Sequence, residues 1–209
     1  VVFDLDGLLV DSEGVWGRAE RAVVGHYDRP WDEAVRALLL GSGPKRAAEL
    51  LAAHLDVADI AEVGSRLEAA AHAAFADGID VRPGARRLVE ALHGRVPLAV
   101  ATNSSRTLAG RALASAGLNG LLPVVVSSDD VTAPKPSPEP YLAACGRLAA
   151  DPSCSVAFED SPVGLQAARA AGLWTVGCPS LAPLPPDAAD ALVATLDDVD
   201  PAVLLRGSG

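Results

Sequence analysis

The sequence predicts an α/β protein, a doubly wound parallel sheet interrupted by an inserted all-helical segment, and three observations carry that prediction. From Asp80 onward, short β-rich runs alternate with longer amphipathic patterns, the arrangement that a parallel sheet with crossover helices produces. A buried strand stands at the start of the sequence, VVFDL. Between the two lies an Ala-, Leu- and Arg-rich stretch over 14–78 in which no strand pattern appears.

The elements follow in order. The first strand covers 1–5. Breaks at 28–30, 41–44 and 56–58 divide the next stretch into about four helices, which suits a small bundle. The Gly- and Pro-containing stretch 77–83 returns the chain to the sheet, so the expected division is a core of 1–13 with 80–209 and a helical segment of 14–79. Further strands are expected over 97–102, 123–126, 155–158 and 173–177. Helices over 86–93, 106–116, 138–149 and 162–171 carry apolar residues at three- and four-residue spacing. Gly94, Gly117 and Gly172 stand where a helix C-terminus prefers glycine, and Pro83 and Pro162 where a helix begins. The proline-rich stretch 179–186 reads as a loop. Trp16 and Trp31 read as core residues of the helical segment.

Composition narrows the function classes. Half of the 209 residues are apolar and 21% are charged, so the chain buries enough surface to fold. Acids outnumber bases by 27 to 17, and the lysines are two, Lys45 and Lys135, so no basic face exists for a phosphate backbone. Nucleic acid is therefore not an expected partner. Apolar stretches fall short of the ~18–20 residues that span a bilayer, so no membrane is expected either. Cys145, Cys154 and Cys178 are odd in number and lack nearby histidines, which reads as small core residues in a reducing compartment. No signal-like segment precedes the first strand. The expectation is a cytoplasmic protein, a monomer, with residues before Val1 absent from the sequence.

Asp4 and Asp6 lie two apart at the end of the first strand, with Gly7 next. Alternate side chains of an extended chain point the same way, so two carboxylates emerge together where the strand ends. Open parallel sheets bind ligands outside the carboxyl ends of their strands. Taken alone, an Asp-rich turn after a buried strand explains the pair equally well.

Four stretches resemble one family. VVFDLDGLLVDSE is similar to the first motif of the haloacid dehalogenase (HAD) superfamily, in its branch of small-molecule phosphatases and β-phosphoglucomutases. LAVATNSS (98–105), APKPSPEPY (133–141) and VAFEDSPVGLQAARAAG (156–172) resemble the second, third and fourth motifs, in the right order and at strand ends. The resemblance covers both ends of the chain. It implies a HAD-like Rossmannoid core, with 14–79 as a helical cap that opens to substrate and closes against water.

The resemblance also assigns roles. Asp4 is the nucleophile, forming an aspartyl phosphate that water then hydrolyses. Asp6 protonates the leaving alkoxide and later deprotonates water. Mg²⁺ is implied, held by a carboxylate oxygen of Asp4, the backbone carbonyl of Asp6 and a carboxylate oxygen of Asp160, with Glu159 supporting directly or through water. Lys135 neutralises Asp4 and a phosphoryl oxygen. Thr102, with the amides of Asn103 and Ser104, cradles the phosphate. Local alternatives stand beside these roles: Glu159–Asp160 also suits a helix N-terminus capped by Ser161, and 102–104 an ordinary cap. In the helical segment, GSGPKR (41–46) is either a specificity loop, with Arg46 reaching the substrate, or a helix–helix turn with solvated ends.

Two departures bear on activity. Family mutases carry a His ten residues after the second Asp, where this chain has Trp16, and a side-chain amide four residues after the motif-two hydroxyl, where it has Arg106. The presence of Asp6 argues for an oxygen leaving group, against a dehalogenase or a phosphonate hydrolase. The expected function is a Mg²⁺-dependent phosphatase of a small phosphorylated metabolite, a sugar or nucleotide phosphate. A phosphoglucomutase-like mutase is the second reading. A catalytically idle binding protein is the third, disfavoured because every chemical position is filled.

Overall fold

A computed structural model describes residues 1–39, 42–75 and 78–205. The chain divides into two compact units, one of Val1–Asp11 with the chain from Asp80 onward, the other of Ser12–Ile79. Gly41 and Asp77, where the sequence places a break and a boundary, lie outside the described residues.

After β1 (Val2–Phe3) the chain forms the helical unit, with α1 (Glu13–His26), α2 (Glu33–Leu39), α3 (Pro44–Leu55) and α4 (Ile60–Ala74). Helix α4 packs against both α1 and α3, burying Val15, Ala19, Val23, Leu51, Val63, Leu67 and Ala71. Asp59 caps α4 by accepting from the Glu62 amide at 3.0 Å, and Asp56 ends α3 in the left-handed region. Trp16 and Trp31 are half-buried rather than core, and the Arg21 guanidinium lies 5.8 Å from the centroid of the Trp31 ring. An indole is large enough to contribute buried area from the edge of a small bundle.

The other unit continues with α5 (Ala85–Leu92), β2 (Ala99–Ala101), α6 (Arg106–Ser115), β3 (Val124–Val126), α7 (Glu139–Leu148), β4 (Val156–Glu159), α8 (Pro162–Ala170), β5 (Trp174–Gly177), β6 (Ala191–Leu192) and α9 (Pro201–Leu205). All strand pairs are parallel, in the order β3-β2-β1-β4-β5-β6. The central strands β1 to β4 are apolar, rich in Val and Ala up to Glu159 at the end of β4, as covering on both faces demands, whereas β5 carries exposed Trp174 and buried Thr175. On one face Val2, Ala99, Ala101, Val126 and Ala157 pack against Tyr141, Ala144 and Cys145 of α7 and Ala167 and Ala168 of α8. So many alanines bring helix and sheet close together. Residues of the opposite parity, Phe3 and Phe158, stack with centroids 5.3 Å apart on the other face.

Two details differ from the sequence reading. Strand β6 has two residues, both exposed, too short and too polar in context to leave a pattern. Cys154 is exposed, whereas Cys145 and Cys178 are buried. Among the described residues, no helix is long and apolar enough to cross a membrane.

Where the chain leaves and rejoins the sheet unit, the two segments are tied together. Val10 bridges Val81 in antiparallel fashion, the Asp11 amide donates to the Asp80 carbonyl at 2.8 Å, and the Arg82 amide donates to Leu9 at 3.0 Å. On the sheet, the order reverses between β1 and β4, so the C-terminal ends of these strands meet at the point where such sheets bind ligands.

Candidate active site

The Asp4 amide donates to the Phe158 carbonyl at 2.9 Å, carrying the β1–β4 pairing one residue past β1 and fixing where the Asp4 side chain emerges. Leu5 turns into the core, and Asp6 emerges beyond it, half-buried. Gly7 follows with φ +84°, and a Cβ there would lie 2.2 Å from Asp160 Oδ2. Both the left-handed backbone and the close approach require glycine.

Lys135 reaches this point from the loop before α7. Its Nζ lies 2.5 Å from Asp4 Oδ1 and 2.5 Å from Glu159 Oε1, with the Tyr141 ring centroid 4.9 Å away. The loop is anchored by a reciprocal pair: the Lys135 amide donates to Asn103 Oδ1 at 2.9 Å, and Asn103 Nδ2 donates to the Lys135 carbonyl at 3.2 Å. The motif-two loop thus fixes the backbone of the lysine.

Glu159 ends β4 with no exposed surface. Its Oε1 accepts from Lys135 Nζ and from the Tyr141 hydroxyl at 2.8 Å. Its Oε2 accepts from the Asp160 amide at 3.1 Å, the Ser161 amide at 3.2 Å and Ser161 Oγ at 3.0 Å. Gly164, in the first turn of α8, leaves room for this carboxylate: a Cβ there would stand 1.8 Å from Oε1. Asp160 Oδ2 accepts from Ser180 Oγ, in the loop after β5. Asp6 Oδ2 accepts from Ser104 Oγ at 2.7 Å and Thr102 Oγ1 at 3.3 Å, while the Ser104 amide donates to Thr102 Oγ1 at 3.0 Å.

The charges do not balance. Asp4 and Glu159 contact the ammonium of Lys135, and Asp160 and Asp6 are close enough to act on Asp4. Burial pushes the Asp4 carboxyl well above the usual range; Lys135 opposes this, and the other three acids add to it. Burial and the neighbouring Glu159 push Asp160 up to about 7, against the pull of the Ser180 hydrogen bond. Burial alone would lower Lys135, but Asp4 and Glu159 hold it above the ordinary ammonium value. An excess of buried carboxylate with oxygens converging is what a hard divalent cation relieves. One oxygen from each of Asp4, Glu159 and Asp160 lies within 4.8 Å of the others, so the residues present fit such an ion. The Glu159 oxygens already accept five donors, which leaves Asp4 and Asp160 the better carboxylate ligands and gives Glu159 the task of holding Lys135.

A family profile described as haloacid dehalogenase-like hydrolase matches residues 1–172. The chain belongs to this family. Among HAD relatives it is 36% identical to the fructose-1-phosphate phosphatase YqaB of Escherichia coli over 180 residues, 84% of this chain and 94% of that protein. It is 37% identical to the validoxylamine A 7'-phosphate phosphatase of Streptomyces hygroscopicus subsp. limoneus, over 84% of this chain and 83% of that one. The crystal structure of CbbY from Rhodobacter sphaeroides in complex with phosphate superposes with a TM-score of 0.82 at 29% identity, covering 94% of each chain.

The site residues expected from the HAD motifs form two hydrogen-bonded groups, Asp4, Asn103, Lys135, Glu159 and Asp160 in one and Asp6, Thr102 and Ser104 in the other, joined through the chain at 102–104. Arg46 belongs to the helical unit, where it is exposed and pairs with Glu49 at 2.9 Å. The Arg106 side chain pairs with Asp130 and lines a groove with Val124 and Val125 of β3. Tyr141 and Ser180 join the site without having been singled out in the sequence, whereas Ser161, expected as a cap, caps α8 by accepting from the Gly164 amide at 3.1 Å and also donates to Glu159. Tyr141 and Ser161 lie within the quoted motifs, and Ser180 lies just past the end of β5, so a search of hydroxyls at strand ends would have found it.

Proposed function

We propose that this HAD member is a phosphomonoesterase of small phosphorylated sugars, working through an aspartyl phosphate on Asp4. The observation that carries the reading is Lys135 Nζ, 2.5 Å from Asp4 Oδ1, with Asp6 held separately by Ser104. One carboxylate is thus paired with a cation, while the other is held apart from it by the hydroxyls of Ser104 and Thr102. Relatives named as fructose-1-phosphate and validoxylamine A 7'-phosphate phosphatases support the substrate class.

In the first half-reaction an Asp4 oxygen attacks phosphorus, the ester P–O bond breaks, and the departing oxygen takes its proton from Asp6. In the second, Asp6 removes a proton from water as the water oxygen attacks phosphorus. The acyl P–O bond then breaks, restoring the Asp4 carboxylate and releasing phosphate. Lys135 offsets the charge that builds on the phosphoryl oxygens. The 102–104 loop, at the N-terminal end of α6, receives the phosphate. Asp4, Asp160 and the Asp6 carbonyl would hold Mg²⁺, which would supply positive charge against the carboxylates and the phosphoryl oxygens. The helical unit is read as the cap domain of the family.

The test is phosphate release across a panel of phosphorylated sugars and nucleotides, with and without Mg²⁺, for wild type, Asp4→Asn and Asp160→Ala. We expect Mg²⁺-dependent release, abolished in folded Asp4→Asn and demanding more Mg²⁺ in Asp160→Ala. Near wild-type turnover in Asp4→Asn, or full activity after exhaustive chelation, would overturn the reading. Efficient conversion of β-glucose 1-phosphate to glucose 6-phosphate with a catalytic amount of the bisphosphate, and little free phosphate, would establish a mutase instead.

A further inference from the structure

Ser180 lies outside the four HAD motifs, eight residues past the last, and its hydroxyl meets the carboxylate cluster. Its Oγ donates to Asp160 Oδ2. The same oxygen is backed by the loop after β1, because a Cβ on Gly7 would lie 2.2 Å from Asp160 Oδ2 and 2.9 Å from Ser180 Oγ. One oxygen of Asp160 is thus committed to a hydroxyl donor and closely approached by backbone. Oxygens of Asp4, Glu159 and Asp160 nevertheless converge within 4.8 Å.

This arrangement matters because hard cations differ in how they use a carboxylate. Ca²⁺ takes 6–8 oxygens in flexible geometry and commonly binds a carboxylate through both oxygens, whereas Mg²⁺ demands a compact octahedron and takes one oxygen per carboxylate. A carboxylate with one oxygen occupied by a donor suits the second ion and handicaps the first. Resting on the metal site of the proposed function, we infer that Ser180 is a positioning residue that holds Asp160 in one-oxygen ligation and so sets the preference of the site for Mg²⁺ over Ca²⁺. The residue acts through Asp160 and touches neither phosphate nor nucleophile in this reading. Partners that orient a metal-binding carboxylate contribute ~10–100-fold to affinity in other sites, so the effect is large enough to measure directly.

The test is calorimetric titration of the full chain with Mg²⁺ and, separately, with Ca²⁺, without substrate. Wild type, Ser180→Ala and Ser180→Thr are compared, with circular dichroism confirming the fold of each. The expected result is a loss of Mg²⁺ affinity of about 10-fold in Ser180→Ala, with Ca²⁺ affinity unchanged or tighter. Ser180→Thr, which keeps the hydroxyl, should retain the wild-type ratio of the two affinities. Unchanged affinities in Ser180→Ala, or equal weakening for both ions, would overturn the inference while leaving the metal site standing. Absence of Mg²⁺ binding to the wild type would instead remove the metal reading beneath it.

Discussion

Replacing Gly164 by Ala inverts an ordinary rule. In a helix this substitution normally stabilises, by at most about 1 kcal/mol. At Gly164 the new Cβ would stand 1.8 Å from Glu159 Oε1 and 2.2 Å from Oε2, where ordinary contact begins near 3.4 Å. The Glu159 carboxylate has no slack, since its two oxygens accept from Lys135, Tyr141, the Asp160 amide and two donors of Ser161. Either the carboxylate retreats and breaks some of these bonds, or α8 shifts off the sheet. Overpacking costs about 1–3 kcal/mol, and hydrogen bonds to a charged group contribute about 1.5–3 kcal/mol each. A net loss of about 3 kcal/mol or more follows, which for a chain of this size lowers Tm by roughly 6–12 °C. Lys135 loses its second anchor in the same event, so phosphate release should fall along with stability. Thermal unfolding followed by circular dichroism, paired with a phosphate-release assay, measures both. A Tm at or above wild type with activity intact would refute the packing argument.

Two further outcomes are expected. Tyr141→Phe keeps the ring beside Lys135 and removes only the hydroxyl that Glu159 accepts, so kcat should fall several-fold with KM little changed; a change confined to KM would place Tyr141 in substrate binding instead. Glu20, in α1, is buried, and burial with the nearby Glu13 pushes its carboxyl up to about 7 from an ordinary 4.5. The folded state then holds a proton that the unfolded state has lost, so this group's stability contribution is present below pH 4.5 and disappears as pH rises through 7. After discounting for water that reaches the group, the loss is about 1–2 kcal/mol. Glu20→Gln should remove that decline between pH 5 and pH 8 in urea unfolding, and an identical decline in both proteins would show that the carboxyl titrates normally.

The strands β1 to β4 were legible because both faces of a parallel sheet are covered, which forces apolar runs onto the sequence, and β5 because β-prone residues follow Gly172. Strand β6 left no such mark, since neither Ala191 nor Leu192 is buried. The acids of the site stood out for a related reason, since charged side chains at the ends of buried strands are conspicuous, whereas Lys135 stood out as one of two lysines, set between Pro134 and Pro136. Their alignment with Ser104, Tyr141, Ser161 and Ser180 was not legible, because hydroxyl residues are common and only tertiary placement aims them. The side chain of Arg106 shows the same limit in reverse. Its position at the start of α6, just past the second motif, is readable, but the pull of Asp130, whose carboxyl is held well below the usual range by Ser127 and Arg147 despite its burial, is not.

The ladder between 9–11 and 80–82 makes the helical unit an exchangeable cassette. Because the Asp11 amide and the Asp80 carbonyl are already hydrogen-bonded at 2.8 Å, the two ends of the insertion are stapled together by the host. A short turn could replace everything between them without shifting the register of a single strand. Evolution can therefore lengthen, recompose or swap the insert while Asp4, Lys135 and Asp160 keep their places. Such a lineage can explore new ligands without renegotiating its chemistry.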